Sequence, residues 1–382
     1  MMAHGDLSAP PLPHALTTLI GRDRDVAAIV ASLTRDGVRL LTLTGAGGVG
    51  KSRVALAVAH AIRSHFADAV FLGDFAAASD PSLLVPALAD LIGLPAPVDA
   101  SSLHRLKRAI GQQRIAIVLD NFDHIAPGAV PLADLLGACP GLSILTTSRS
   151  RLRLRGEAVR PIPPLPTPAP DAAITGESLA EFPAVHLFVA RGHEIDHDFA
   201  LSADNVAAVI EIVRRLDGIP LAIELAAARL DLLPPSALLA RLQRRLPLLI
   251  GGARDLPDRQ QTMRRAIAWS YDLLPVDEQR MVERLAVFAD GIPLAGAVAV
   301  CGDGDELGVL ELLRRLAERS LLVREPAAAE PRFRMLQTIR EFALDRLDAN
   351  GLLDETRERL AAWCLESVEA AAAIRAKTSG AP

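Results

Sequence analysis

The eight residues from Gly45 to Ser52 constrain the fold of this chain more than any other feature of its sequence. They read GAGGVGKS and match GxxxxGK[S/T] in full, between an apolar run and the helical pattern Ser52–Ile62. In this context the glycines let consecutive backbone N–H groups point at phosphate oxygens, and the helix N-terminus adds partial positive charge. The sequence therefore predicts a P-loop in which Lys51 reaches the β- and γ-phosphates and the Ser52 hydroxyl ligates Mg²⁺.

The candidate nucleotide-binding residues at this loop share one short segment of chain. They are Gly45, Ala46, Gly47, Gly48, Val49, Gly50, Lys51, Ser52 and Arg53.

Between residues 17 and 160, short apolar runs alternate with helical patterns, which predicts a parallel α/β sheet domain around the P-loop. Val, Ile and Leu dominate the runs with little alternation, as expected of strands that are buried on both faces. The runs are Val38–Thr44, Ala69–Leu72, Ile115–Leu119 and Leu142–Thr146.

Two of these strands end in polar residues that complete the predicted site. Asp120 follows IAIVL, where a carboxylate would hold Mg²⁺ through water, and the next residue is Asn121. Asp123 either replaces the acid that Asn121 does not supply or caps a turn. Arg149 follows ILTTS and is a candidate sensor of the γ-phosphate; the alternative is a solvated arginine in an arginine-rich loop.

The rest of the chain divides by composition. Residues 1–16 are Pro-rich and are predicted to be a flexible tail, and residues 161–176 are predicted to be a Pro-rich linker. A helical domain is expected at 177–255 and a winged-helix domain, with helices followed by a strand pair, at 256–350. The remaining residues, 351–382, have a helical pattern without an evident partner.

Charge and cysteine content exclude several classes of protein. The net charge is −5, and residues 261–382 carry 16 Lys and Arg against 20 Asp and Glu, a difference of −4, so direct DNA binding by this segment is not expected. The three cysteines form no CxxC pair, and neither a signal peptide nor a membrane span is visible. We therefore expect a cytoplasmic protein without a membrane partner.

His193-Glu-Ile-Asp-His197 matches the zinc-protease pattern HExxH. That chemistry needs both imidazoles on one face of a regular helix and a third ligand. Because Gly192 is expected to stop the preceding helix, the motif is predicted to lie in a connection and to bind no zinc.

Taken together, the ordered motifs of residues 17–350 resemble the signal-transducing STAND ATPases of the NB-ARC type, in the bacterial form of large LuxR- and AfsR-like transcription regulators. Besides the P-loop, the resemblance rests on five motifs: Leu19–Arg22, Leu119–His124, Thr147–Arg149, Leu216–Ala222 and Phe333–Ala343.

The resemblance implies that the backbone of Ile20, Gly21 and Arg22 surrounds the adenine and that Pro220 packs against it. It implies a switch whose closed ADP form opens on exchange for ATP, with sensor or effector proteins and a nucleotide-dependent homo-oligomer as partners. Asn121 departs from relatives that carry a second acid. Met335-Leu336-Gln337 departs from the family's Met-His-Asp triplet, in which the histidine reaches ADP.

The sequence thus predicts an ATP/ADP- and Mg²⁺-dependent regulatory switch with slow hydrolysis. Two other classes stay open: a DNA-binding repressor in which the nucleotide is only structural, and a motor ATPase similar to AAA+ remodellers. Binding to random duplex DNA distinguishes the first, and rapid steady-state turnover distinguishes the second.

Overall fold

The computed structural model describes residues 7, 9–66, 69–76, 78, 80–94, 102–169, 182–242, 262–289, 291–302, 305–325 and 331–379. The chain separates into two compact units, Met1–Leu165 and Pro166–Pro382.

A five-stranded, all-parallel sheet forms the centre of the first unit, with strand order β2-β3-β4-β1-β5. The strands are β1 (Leu40–Thr44), β2 (Val70–Asp74), β3 (Ile115–Asp120), β4 (Leu142–Thr147) and β5 (Glu157–Pro161). The helices are α1 (Asp23–Thr34), α2 (Lys51–Ile62), α3 (Leu84–Leu91), α4 (Ser102–Ile110) and α5 (Val130–Ala138). The predicted parallel α/β fold is confirmed. Buried aliphatic side chains fill most of the core, and Phe75 and Phe122 meet edge to face with ring centroids 5.9 Å apart.

Strand β5 is absent from the sequence-based prediction. Its sequence, EAVRP, is short, charged and ends in proline, which a strand at the edge of a sheet tolerates because its free side needs no N–H donor. The strand pairs with β1 up to Thr44 and Pro161, and the N–H of Ile162 then donates to the Thr44 carbonyl at 2.7 Å. Ile162 and Leu165 are buried. The start of the segment predicted as a linker therefore belongs to the first unit, and residues 170–176 lie outside the described residues.

Part of the predicted flexible tail is packed as well. Leu12 is buried, the imidazole Nε2 of His60 donates to the Pro13 carbonyl at 2.9 Å, and the rings of His14 and His60 are stacked. Pro13 and His14 are thus held against α2, a contact that proline content does not reveal.

The described residues of the second unit form helices and one small antiparallel sheet. Its first helices are Pro183–Ile195, Val206–Arg215, Pro220–Ala227 and Pro235–Arg241. Later helices are Met263–Asp272, Val276–Leu285, Leu294–Cys301, Glu306–Glu318, Gln337–Ala349 and Leu353–Ser379. Strand Arg332–Met335 lies between Leu322–Arg324 and Ile292–Pro293. Helices followed by a strand pair were the predicted order, and Ile292–Pro293 adds an unpredicted third strand.

The prediction that Gly192 ends a helix is wrong. The helix Pro183–Ile195 continues through it. A Cβ at Gly192 would lie 2.5 Å from the ring of Phe199, so the glycine leaves the space that this ring occupies. His193 therefore lies in the last helical turn, whereas His197 follows the helix, and their rings stack 4.6 Å apart. Among the residues that the structure describes, no group of three or more His, Cys, Asp or Glu side chains could hold a metal ion.

The C-terminal helix Leu353–Ser379 has a partner in the second unit. The Trp363 ring lies edge to face on Phe288, with centroids 6.1 Å apart, and a Cβ at Gly296 would lie 3.1 Å from the indole. Gly296 thus allows Trp363 to approach the helix Leu294–Cys301. None of the described helices combines the length and the apolar character that crossing a membrane requires.

Tyr271, the chain's single tyrosine, is expected to resist titration in the folded protein. Its hydroxyl donates to the Glu283 carboxylate, which also accepts from the Asn350 amide at 3.0 and 3.1 Å. Burial, and then the hydrogen bond to Glu283 and its charge, raise the pKa of Tyr271. Because the folded-state pKa is the higher one, this contribution to stability is complete below about pH 10 and is lost as the pH rises through the folded value.

Near-ultraviolet absorbance of tyrosinate reports on this residue alone. We expect native protein to show no tyrosinate near pH 10, whereas protein in denaturant titrates at about that pH. Tyr271→Phe keeps the ring and should remove the alkaline loss of stability. Native titration at the same pH as the unfolded chain would contradict the buried contact.

Candidate functional site

The predicted site residues of the first unit meet at one edge of the sheet because parallel strands end on the same side. Strand β4 lies between β1 and β3, and the register pairs Leu43 with Thr147 and Leu119 with Thr146. The loop after β1, Asp120 at the end of β3 and Arg149 after β4 therefore lie side by side. This edge is where ligands bind in open parallel sheets.

The loop after β1 has a backbone shape that depends on glycine. Gly48 and Gly50 have positive φ angles of 81° and 93°, and α2 begins directly after Gly50. At Gly45 a Cβ would lie 2.6 Å from the carbonyl oxygen of Ile162, closer than real side chains approach. Glycine is therefore required at these positions, and the loop leads into a helix N-terminus with its N–H groups free of side-chain caps.

Lys51 lies over this loop. Its Nζ donates to the carbonyls of Gly45 at 2.6 Å and Ala46 at 3.1 Å. Burial lowers the pKa of Lys51 to about 8; the Asp123 charge opposes that shift and the Arg149 charge adds to it. A cation that is already partly desolvated loses little hydration on meeting an anion, so the position suits a phosphate.

Ser52 and Asp120 are brought together. The Ser52 and Thr147 hydroxyls both donate to the Asp120 carboxylate. Burial is the main cause that raises the pKa of Asp120, and these hydrogen bonds oppose it. A hydroxyl and a carboxylate at the start of α2 are hard oxygen donors of the kind that Mg²⁺ takes beside phosphates, so the residues fit the predicted ion.

Arg149 is buried, which contradicts the alternative of a solvated loop arginine. Its backbone N–H donates to Asp123 Oδ1 at 2.6 Å and its Nε lies 3.5 Å from Asp123 Oδ2. The Ser148 hydroxyl donates to the same carboxylate at 3.2 Å. Asp123 thus caps the end of β4 rather than its own turn, and it holds the guanidinium of Arg149.

Arg22 has a role that the sequence did not reveal. Its buried guanidinium donates to the Val49 carbonyl of the P-loop at 3.1 Å, to the Pro163 carbonyl at 2.6 Å and to Asp25 at 3.1 Å. Burial lowers the pKa of Arg22, and Asp25 opposes that shift. The side chain therefore ties the segment before α1 to the P-loop and to the chain beyond β5.

The neighbouring residues continue this connection. Gly21 has a positive φ of 69°, which directs the chain after Ile20 into α1. The guanidinium of Arg53 donates to the carbonyls of Thr17 and Thr18. The Arg53 side chain thus contacts the N-terminal segment, whereas the Arg53 backbone lies in the first turn of α2.

In the second unit, Pro220 occupies the first position of the helix Pro220–Ala227. Three residues earlier, Asp217 adopts a positive φ of 54° and accepts hydrogen bonds from the N–H groups of Gln337 at 2.7 Å and Thr338 at 3.4 Å. Asp217 therefore caps the helix Gln337–Ala349 from another part of the chain. Leu336, the middle residue of the triplet Met335-Leu336-Gln337, is buried.

Comparison with known proteins yields relatives along most of the chain, although no family model matches it. A Mycobacterium tuberculosis protein named "Uncharacterized protein Rv0894" is 36% identical over 348 residues, which cover 90% of this chain and 85% of that protein. The "Putative HTH-type transcriptional regulator Rv0890c" of the same species is 40% identical over 319 residues, 83% of this chain and 34% of the regulator. The "Regulatory protein AfsR" of Streptomyces griseus is 30% identical over 359 residues, with 88% and 33% covered. The chain thus spans about a third of the length of the two regulators.

Two solved structures are similar to the chain at low identity. A signal transduction ATPase with numerous domains (STAND) and a tetratricopeptide repeat sensor, from Pyrococcus horikoshii, has a TM-score of 0.37 and 14% identity over 95% of this chain and 47% of its own. Cdc6p from Pyrobaculum aerophilum has a TM-score of 0.37 and 13% identity, with 90% and 98% covered.

Proposed function

The chain belongs to the STAND-type P-loop ATPase family that includes AfsR-like regulators and the mycobacterial protein Rv0894, and we propose that it is a regulatory switch that binds ADP or ATP with Mg²⁺. One observation carries the proposal: the Ser52 hydroxyl meets the Asp120 carboxylate beside Lys51, at the N-terminus of the helix that follows a glycine loop. These are the groups that a magnesium-bound polyphosphate needs.

Each side chain has a definite part in this proposal. Lys51 exchanges its loop carbonyls for β- and γ-phosphate oxygens, and Ser52 and Asp120 hold the magnesium. The ion neutralises phosphate charge when bound. The backbone of Ile20–Arg22 is proposed to surround the adenine, as the resemblance to relatives implies.

Arg149 is proposed to report which nucleotide is bound. Its guanidinium contacts Asp123, with 3.5 Å between Nε and Oδ2, so a γ-phosphate would compete with that carboxylate for the same cation. Movement of the guanidinium would leave Asp123 held to the end of β4 only by the backbone N–H of Arg149 and the Ser148 hydroxyl. The two states of the switch would thus differ in a contact next to the phosphate site.

The sheet and helices of residues 262–349 are proposed to form a winged helix that relays this change rather than reading DNA. Asp217, in the motif that contains Pro220, caps the helix Gln337–Ala349. Arginines on the helix Glu306–Glu318 are neutralised within it: Arg314 pairs with Glu311 and Glu318, and Arg315 pairs with Glu311. Paired arginines leave little positive charge for phosphates of DNA, which favours a relay.

Slow hydrolysis is the expected result that separates a switch from a motor. Asn121 is an amide and cannot take a proton from water, so turnover of Mg-ATP should lie well below the roughly 1–100 s⁻¹ of phosphoryl-transfer enzymes. Phosphate release under saturating ATP, with Lys51→Ala as the background control, measures it. A turnover of about 10 s⁻¹ or faster would favour a motor and count against the switch.

A further inference from the structure

We propose that Asn121 and Asp74 are positioning residues that orient the Asp120 carboxylate for Mg²⁺. The inference rests on the proposed function, since it concerns the magnesium carboxylate of that nucleotide site. Asn121 occupies the position at which relatives carry a second acid, and Asp74 lies at the end of the neighbouring strand β2.

The two carboxylates are brought to the same place by strand register. Strands β2 and β3 are neighbours, and Asp74 pairs with Asp120 at their carboxyl ends. The side-chain amide of Asn121 lies between them: its Nδ2 donates to Asp74 Oδ1 at 2.7 Å and to Asp120 Oδ2 at 3.1 Å. One amide therefore connects the ends of two strands through two charge-assisted hydrogen bonds.

The orientation of this amide follows from its partners. Ionised carboxylates only accept hydrogen bonds, so the atom between them must be the nitrogen and not the oxygen of Asn121. The backbone is fixed as well: Asn121 has a positive φ of 57°, and its N–H donates to Thr147 Oγ1 at 2.9 Å. The Thr147 hydroxyl in turn donates to Asp120. Asn121 thus supports Asp120 directly and through β4.

An acid at position 121 would change this arrangement. A carboxylate has no N–H group, so both hydrogen bonds that the Asn121 amide donates to Asp74 and Asp120 would be lost. It would also place a third negative charge beside them. The three carboxylates would repel one another at the ends of β2 and β3, where one amide now donates to both Asp74 and Asp120. Asparagine here therefore supplies a donor that Asp74 and Asp120 share.

Asn121→Asp is the test, because aspartate has the same shape and also tolerates positive φ. Calorimetric titration measures the affinity for ADP in Mg²⁺ and in EDTA. The quantity compared between variants is the gain, which is the ratio of the affinity in Mg²⁺ to the affinity in EDTA. We expect Asn121→Asp to reduce that gain about tenfold or more, since charged hydrogen bonds are lost. Affinity in EDTA should stay within about twofold of wild type. Asp90→Asn, at an exposed carboxylate on α3, is the matched control and should behave as wild type.

The double variant Asp74→Asn with Asn121→Asp exchanges the amide and one carboxylate. It restores the original charge and the amide–carboxylate hydrogen bond between positions 74 and 121 but not the one to Asp120, so it should recover only part of the lost gain. An unchanged gain in Asn121→Asp would overturn the inference, and so would equal losses in Mg²⁺ and EDTA, which indicate a structural role only. If wild type itself showed no Mg²⁺-dependent ADP binding, the proposed function would fail first.

Discussion

Lys51→Ala is expected to lower Mg-ADP affinity by about a hundredfold or more while the protein stays folded. The ammonium group would contact the β-phosphate of ADP, and hydrogen bonds to charged groups each contribute about 1.5–3 kcal/mol. The protein loses two bonds to the carbonyls of Gly45 and Ala46. It also loses a cation whose pKa burial lowers to about 8, and the two effects on stability oppose each other.

Thermal unfolding with and without Mg-ADP measures this effect. Wild type should gain several degrees, and Lys51→Ala should gain none while its melting temperature without ligand stays close to that of wild type. Lys107→Ala, on α4, is the matched control and should keep the gain. An Lys51→Ala protein that still gained stability from ADP would show that the site is assigned wrongly.

Arg22→Ala is expected to have the largest effect on stability, about 3 kcal/mol. Its guanidinium is buried and donates to the carbonyls of Val49 and Pro163, which come from the P-loop and from the chain after β5. Removing it leaves both carbonyls without this charged donor, and hydrogen bonds to charged groups contribute about 1.5–3 kcal/mol each. ADP affinity should fall too, because the Val49 carbonyl belongs to the loop.

Urea unfolding followed by circular dichroism measures the change in free energy of unfolding. Arg24→Ala removes an arginine two residues away whose side chain is exposed, and should change the free energy by about 0.5 kcal/mol or less. Equal effects of the two substitutions would show that the Arg22 contacts do not stabilise the first unit.

What the sequence predicted well was local. The P-loop pattern, the apolar strands and the helix that begins at Lys51 each depend on residues close together in the chain, and the structure has them. Asp120 could be placed beside Ser52 because parallel strands end at one edge of a sheet.

What the sequence missed depends on partners that are distant along the chain. Arg22 donates to Pro163, 141 residues away, and Gln337 donates to Asp217, 120 residues away. Strand β5 has little strand character of its own and forms because β1 offers a free edge. Gly192 resembled a helix stop because only the fold shows that Phe199 occupies the space of its side chain.

Asn121 shows the same limit within the site. The sequence alone indicated only that Asn121 stands where relatives carry a second acid. The structure shows what it contacts, since register places Asp74 opposite Asp120 and the amide between them. A motif identifies the position, whereas the neighbouring strand decides which residue type the position needs.

Calorimetric titration of nucleotide-free wild type with ADP in Mg²⁺ tests the central claim most directly. We expect saturable binding at one site per chain, tighter with Mg²⁺ than with EDTA. Absence of saturable binding by ADP and ATP at millimolar concentration, in protein shown to be folded, would contradict it.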